Sequence, residues 1–122
     1  VIKNCLEDKK FPCSSGRQLR DFLYIDDFVE IVFKLMVYKD NNGQVYNIGY
    51  GKAFKVKKLI NLIKRKINKG VPVFGKVKLR KEENLITYPS IYKVKKFFKW
   101  KPKVNLISGL NKTIEFYSKE VK

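Results

Sequence analysis

Apolar residues recur at helical spacing in two parts of the chain that are easy to delimit. The clearer run falls at i, i+3, i+4, i+7 and i+11 and comprises Val56, Leu59, Ile60, Ile63 and Ile67. This spacing predicts an amphipathic helix, and Asn68 and Gly70 predict its end. A second helix is predicted from about Leu106 to Tyr117, with Leu110 and Ile114 on the same face.

Residues 26–38 predict a third helix of a different kind, because apolar side chains cover nearly every face of it. Such a helix is packed on more than one side. Asp26 or Asp27 is suited to its N-cap. A shorter helix is predicted with Pro89 in its first turn and a break at Pro102.

The remaining segments predict short strands and loops. Residues 44–48 (QVYNI) and 76–80 (KVKLR) predict strands, and residues 21–25 (DFLYI) predict a short extended run. Residues 11–18 (FPCSSGRQ) predict a loop, and residues 40–43 predict a turn. The order of these elements indicates a mixed α/β fold with few strands.

The length of 122 residues fits one domain or a large piece of one. No apolar run reaches the roughly 18 residues of a membrane span, and the first ten residues lack the apolar centre of a signal peptide. The first residue is not Met, so we expect the chain to begin partway into a larger protein. Cys5 and Cys13 without any His predict no metal site, and we interpret them as free thiols of a cytoplasmic protein.

A formal net charge of +17 raises the alternative of a nucleic-acid-binding module. The 28 basic residues are, however, 24 Lys and only 4 Arg, and the Lys are scattered along the whole chain. We interpret them as a solvated surface. The informative cations are then the arginines, whose planar fork suits carboxylates and phosphates, and they are Arg17, Arg20, Arg65 and Arg80.

Three motifs match nucleotide or catalytic patterns only in part. Residues 70–77 (GVPVFGKV) fit a phosphate loop until Val77 replaces its hydroxyl residue, and Pro72 has no N–H for a phosphate. We therefore predict a turn between a helix and a strand. Residues 48–54 (IGYGKAF) place Phe54 where a dinucleotide loop has its third glycine. Tyr92 and Lys96 match a Tyr-x-x-x-Lys catalytic pair, but a solvated face of a Lys-rich helix explains them better.

Residues 16–27 (GRQLRDFLYIDD) are far more specific. They resemble the G-x-Q-x-R-D-F-[IV]-Y-V-D-D segment of NAD(P)-dependent nucleotide-sugar epimerases, dehydratases and reductases, the extended short-chain dehydrogenase family. Residues 45–51 (VYNIGYG), the acidic pair after Arg80, residues 88–91 (YPSI) and residues 100–102 (WKP) follow in the order of that family. The chain departs from the family pattern at Phe54, Ser90 and Lys99, which affects local helix caps.

The resemblance implies that residues 1–122 form a single C-terminal substrate-binding region of mixed helices and short strands, with the N-terminal Rossmann half absent. Helix 26–38 and strand 44–49 would pack on that missing cofactor domain. The glycine-rich loop and the catalytic Tyr-x-x-x-Lys would lie in the missing half, so the chain itself would carry no catalytic and no cofactor-binding residue. NAD or NADP would bind the full-length enzyme, not this fragment alone.

The resemblance also implies a nucleotide-diphosphate sugar as the substrate. Arg20 and Arg80 would hold the diphosphate, and Arg17 and Gln18 would touch the nucleotide. Asp21, Tyr24 and Asp27 would be structural, through turn hydrogen bonds, packing and helix capping. Asn47 would satisfy backbone groups near the cleft, and the core would contain Phe97, Phe98 and Trp100.

Several alternatives stay open at this point. Epimerase, 4,6-dehydratase and 4-keto reductase share this half, and residues 80–90 (RKEENLITYPS) favour enzymes of deoxysugars for surface polysaccharide. We expect the full enzyme to be a homodimer without membrane contact. The rival readings are a Lys-rich nucleic-acid-binding module and a non-catalytic assembly fragment.

Overall fold

A computed structural model describes residues 1–39 and 43–120, so the predicted turn at residues 40–43 lies largely outside the described residues. Short strands alternate with helices, which confirms the mixed α/β class. In chain order the elements are α1 (Ile2–Leu6), β1 (Lys10–Pro12), β2 (Leu19–Arg20), α2 (Ile25–Val37), β3 (Phe54–Lys55), α3 (Val56–Ile67), β4 (Val71–Val73), β5 (Ile86–Thr87), α4 (Tyr92–Phe98) and α5 (Leu106–Glu120).

The strands form two small sheets. In the first, β1 and β4 run parallel with Phe11 opposite Pro72. In the second, β2 is the central strand, antiparallel to β3 and parallel to β5. Because β2 has only two residues, its position depends on both neighbours and on the loops that flank it.

Two apolar clusters lie between the helices. The first joins α1, β1, α3 and α5 through Cys5, Phe11, Cys13, Ile60, Ile63 and Leu110. Both thiols in it are free, as expected, and burial raises the pKa of each. The second joins α2 to α4 and the segment after it through Ile31, Ile91, Val94 and Trp100.

The helices predicted from periodicity are confirmed. Helix α3 has the predicted bounds, and Asn68 ends it in the left-handed conformation at φ 58°. Helix α5 begins at Leu106 as predicted and extends to Glu120, three residues past the expected end. Helix α2 is displaced by one residue from the predicted range of 26–38.

The predicted strands at residues 44–49 and 76–80 are wrong. Within the described residues, neither segment pairs with another backbone segment in a ladder. At the first, the carbonyl of Val45 accepts a hydrogen bond from Lys93 Nζ instead, at 2.9 Å. At the second, the strand lies earlier, as β4 within GVPVFGKV. There Pro72 is tolerated because the two-stranded sheet leaves its missing N–H without a required partner.

Pro89 does not lie in the first turn of α4, which begins two residues after Ser90 with Ile91 as its N-cap. Its ring lies against Gly49, where an added Cβ would come within 2.4 Å of Pro89 Cγ. Only glycine therefore allows these two segments to approach so closely.

Helix α3 begins without a side-chain cap, and its N-cap residue is Lys55 rather than Phe54, which lies one residue earlier in β3. Its first N–H groups are satisfied by backbone carbonyls instead, since Val56 N–H donates to Gln18 and Lys57 N–H donates to Gly16, at 2.9 and 2.8 Å. Gly16 has φ +65°, and an added Cβ would lie 2.8 Å from Lys57 Cβ. The loop before β2 is therefore fixed against α3 through a glycine.

Asp27 is buried and does not cap α2, contrary to the prediction, because Tyr24 is the N-cap residue. Its carboxylate accepts hydrogen bonds from the N–H groups of Lys103 and Val104, at 3.1 and 2.9 Å. Asp27 thus holds the segment after Trp100 against α2. Trp100 is buried as predicted, with 2% of its surface exposed, whereas Phe97 is 55% exposed and is not a core residue.

Much of the apolar surface of α2 remains uncovered. Phe33, Met36 and Val37 expose 63%, 76% and 75% of their surface, while Ile31 on the opposite side is fully buried. The helix therefore packs on one side only within the described residues, although its sequence is apolar all round.

We expect Asp27→Ala to lower the free energy of unfolding by about 2–3 kcal/mol, because it leaves two partly buried N–H groups without an acceptor. Chemical denaturation of the purified chain measures this loss. Asp26→Ala is the matched control, since Asp26 is an exposed neighbour in the same helical turn and should cost no more than about 1 kcal/mol. Equal losses in both variants would contradict the assigned role of Asp27.

We expect Lys99→Gly to raise the free energy of unfolding by about 0.5–1 kcal/mol, since Lys99 has a left-handed backbone at φ 48°. Glycine adopts that conformation without strain, and its greater freedom in the unfolded chain offsets part of the gain. Lys95→Gly within α4 is the control and should destabilise by about 1 kcal/mol. A Lys99→Gly variant with a lower thermal midpoint than the wild type would rule out strain at this position.

Candidate functional site

Arg20 ends the central strand β2, and three acceptors orient its guanidinium. Nη1 donates to the carbonyls of Leu19 and Leu85, at 2.9 and 3.4 Å. Nη2 donates to the carboxylate of Glu83, at 2.5 Å. Both side chains of this ion pair keep about a quarter of their surface exposed, 27% and 26%, so the guanidinium is held in place but remains accessible.

Arg20 and Arg80 are 60 positions apart in the sequence and line one open cavity of about 470 Å³. This volume lies within the usual range of small-molecule sites. The lining residues are Arg20, Arg80, Lys81, Glu82, Glu83, Asn84 and Thr87. Three cationic and two anionic side chains give the cavity one net positive charge, which suits an anionic group.

Arg17 and Gln18 do not line this cavity. Arg17 is exposed in the loop before β2. Gln18 is buried with 8% of its surface exposed, and its Nε2 lies 3.5 Å from Ser14 Oγ. Within the described part of the chain, Gln18 Oε1 has no hydrogen-bond partner. The structure thus brings together two of the four predicted binding residues.

Glu83 is one of the cavity residues for which the sequence predicted no role. A signal for it exists, because residues 41–114 contain 19 basic residues and only two acids, Glu82 and Glu83. Both acids line the cavity of the two arginines. Asn84 and Thr87 were missed as well, and polar residues of this kind have no distinctive pattern in a sequence.

The loop Gly49-Tyr50-Gly51 does bind an anion, although not a cofactor phosphate. The N–H groups of Tyr50 and Gly51 donate to the Asp21 carboxylate at 2.7 and 2.6 Å, and Lys52 N–H does so at 3.2 Å. Successive backbone N–H groups of this kind form an anion-binding nest. Since Asp21 fills it, the structural interpretation of Asp21 is supported and the dinucleotide interpretation of this loop is not.

The structure also gives the exposure or packing of the Tyr-x-x-x-Lys match, of Tyr24 and of Asn47. Tyr92 is 70% exposed and Lys96 is exposed on α4, as a solvated face requires. Tyr24 packs against α5, where an added Cβ on Gly109 would lie 3.1 Å from its ring. Asn47 is exposed, and its side chain forms no hydrogen bond with the described residues.

Neither a metal-binding cluster nor a membrane-spanning helix is found among residues 1–39 and 43–120. No cluster of three or more His, Cys, Asp or Glu side chains there could hold a metal ion. In the same residues, none of the helices has both the length and the apolar character needed to cross a bilayer.

The comparisons with known proteins agree on one family. The model of the NAD dependent epimerase/dehydratase family matches residues 1–49. The chain is 30% identical to dTDP-glucose 4,6-dehydratase 1 of Escherichia coli K12, over all of this chain and 36% of that protein.

Two solved structures have the same fold. The UDP-glucose 4-epimerase of Thermotoga maritima with UDP-glucose aligns at a TM-score of 0.88 and 29% identity, over 99% of this chain and 38% of that one. The UDP-glucuronic acid 4-epimerase of Bacillus cereus in complex with UDP-glucuronic acid and NAD aligns at 0.85 and 30% identity, over 100% and 39%. The chain therefore spans little more than a third of these proteins, and it belongs to the NAD-dependent epimerase/dehydratase family of nucleotide-sugar enzymes.

Proposed function

We propose that this chain is the substrate-binding part of an NAD(P)-dependent nucleotide-sugar epimerase, 4,6-dehydratase or 4-keto reductase. The observation that carries the proposal is the single cavity that Arg20 and Arg80 share. Two guanidinium groups can donate several charge-assisted hydrogen bonds to a diphosphate. The diphosphate of the nucleotide sugar would lie between them, with Asn84 and Thr87 available as further polar partners.

The finer assignments of the binding loop follow the same proposal. Arg17 is exposed and Gln18 is buried in the same loop before β2, and we place the nucleotide against both of them, outside the cavity of the two arginines. The substrate class that we favour is the nucleotide-activated deoxysugars of bacterial surface polysaccharide.

The nucleic-acid-binding alternative is not favoured, because the family relationship accounts for the whole length of the chain.

The catalytic chemistry would belong to residues outside this chain. In the complete enzyme, a nicotinamide cofactor supplies hydride exchange with the sugar, and a Tyr-x-x-x-Lys pair acts as acid and base. Residues 1–122 would contribute neither group and would bind no cofactor alone. Their contribution is to hold the diphosphate, so that the sugar extends toward the cofactor domain.

The uncovered face of α2 is where we place that cofactor domain. Phe33, Met36 and Val37 expose a continuous apolar surface, which is costly for a helix to leave in water. Residues 44–49 would lie at the same boundary although they form no strand, and we also propose that the complete enzyme is a homodimer.

The genomic sequence upstream of the Val1 codon tests the catalytic part of the proposal. We expect, in frame, a glycine-rich strand–turn–helix followed by a Tyr-x-x-x-Lys. A stop codon or an unrelated sequence in that position would refute the enzymatic assignment for this gene product.

Arg20→Gln and Arg80→Gln should each weaken the binding of inorganic pyrophosphate by at least about tenfold, since each removes charge-assisted hydrogen bonds to the anion. NMR titration of the 122-residue chain at fixed salt measures the dissociation constant. Arg65→Gln is the matched control, because it removes the same charge from the exposed surface of α3 and should change the constant less than about twofold. Equal effects of all three substitutions would indicate non-specific attraction by the basic chain.

A further inference from the structure

The Glu83 carboxylate occupies a hydrogen-bond donor of Arg20 that the proposed diphosphate ligand would need. Arg20 Nη2 donates to Glu83 Oε1 at 2.5 Å, and both residues line the cavity. Nη1 is already directed at two backbone carbonyls. An anion that binds Arg20 through Nη2 must therefore share that group with the Glu83 carboxylate or displace it.

We propose that Glu83 is an internal anion that occupies Arg20 until a diphosphate displaces it. The inference rests on the proposed function, since it names what that binding site holds before its ligand arrives. A carboxylate and a phosphate oxygen make the same kind of charge-assisted hydrogen bond to a guanidinium. Glu83 is thus a competitor of the ligand for one face of Arg20, while Arg80 stays exposed for the first contact.

The distribution of charge indicates why such a competitor is useful in this chain. Lysines surround the site in sequence, and a pair of uncovered arginines on a protein of net charge +17 would bind phosphate groups of every kind. With Glu83 in place, an anion has to make contacts to both arginines to offset the broken ion pair. A diphosphate has more oxygen atoms and more negative charge than a single phosphate, so it is better suited to contact both arginines at once. Glu83 therefore sets selectivity at the expense of affinity.

Glu83 forms an ion pair with Arg20, and this distinguishes it from the neighbouring Glu82. Glu82 also lines the cavity but is exposed and forms no ion pair among the described residues. The two glutamates carry the same charge, so a general effect of the electrostatic field would make them equivalent. Displacement from Arg20 would make only Glu83 matter.

The test is an NMR titration of the 122-residue chain with inorganic pyrophosphate and, separately, with inorganic phosphate, at fixed pH and salt. Glu83→Gln keeps an oxygen that accepts from Arg20 but removes the negative charge. We expect this variant to bind pyrophosphate about threefold to fivefold more tightly than the wild type, the range that a partly exposed ion pair provides. Its preference for pyrophosphate over phosphate should fall, and Glu82→Gln should change either constant less than about twofold.

The outcomes separate this inference from the proposed function. If Arg20→Gln and Arg80→Gln lose pyrophosphate while Glu83→Gln binds it no more tightly than the wild type, the diphosphate site stands and the displacement is refuted. Equal gains in Glu82→Gln and Glu83→Gln would also refute it, in favour of a field effect. If neither the wild type nor Glu83→Gln binds pyrophosphate, the diphosphate site itself is wrong. Thermal unfolding of each variant verifies that it has folded.

Discussion

The carboxylate of Asp21 is the interaction on which the arrangement of the site depends. Asp21 directly follows the two-residue strand β2. Its carboxylate accepts three hydrogen bonds from the backbone N–H groups of residues 50–52. Those residues lead into β3, which pairs with β2, and Gly49 beside them contacts Pro89 ahead of α4. One side chain thereby ties together three segments that are distant in sequence. Arg20 precedes Asp21, so the backbone of the candidate binding residue is fixed by the same contact.

Asp21 is one of three aspartates that hold backbone N–H groups of distant segments. Asp8 accepts from Gly70 at 2.8 Å, and Asp27 accepts from Lys103 and Val104. A chain with 11 acids and 28 bases has few carboxylates, and an ionised carboxylate is the strongest acceptor available to a backbone N–H. The strands are too short to organise the fold through their ladders, and these aspartates supply much of the long-range order instead.

The elements that depend on local signals could be predicted from the sequence, and those that depend on long-range hydrogen bonds could not. Helix α3 was predicted to the residue because its apolar spacing and its Asn68 end are both local signals. The strands were displaced or absent because two or three residues form a strand only where a partner backbone lies alongside, and a local pattern cannot show the partner. Asp27 was misassigned for a similar reason, since the N–H groups that donate to its carboxylate lie more than 70 residues away. The order of motifs along the chain indicated Arg20 and Arg80, which line one cavity, whereas only the folded loop shows that Asn84 and Thr87 line it as well.

The proposed chemistry of the site would also account for the range of relatives. The chain resembles a dehydratase and two epimerases to nearly the same degree, between 29% and 30% identity. A diphosphate is common to every nucleotide sugar, whatever reaction its sugar undergoes. If the two arginines bind that common group as proposed, the same fold can serve different reactions without change. The residues that contact the sugar would then determine the type of reaction. The residues of the proposed diphosphate site would only have to keep a suitable charge. In a chain as basic as this one, that constraint would fall on the few acids near the two arginines, because a surplus of cations is already present everywhere else.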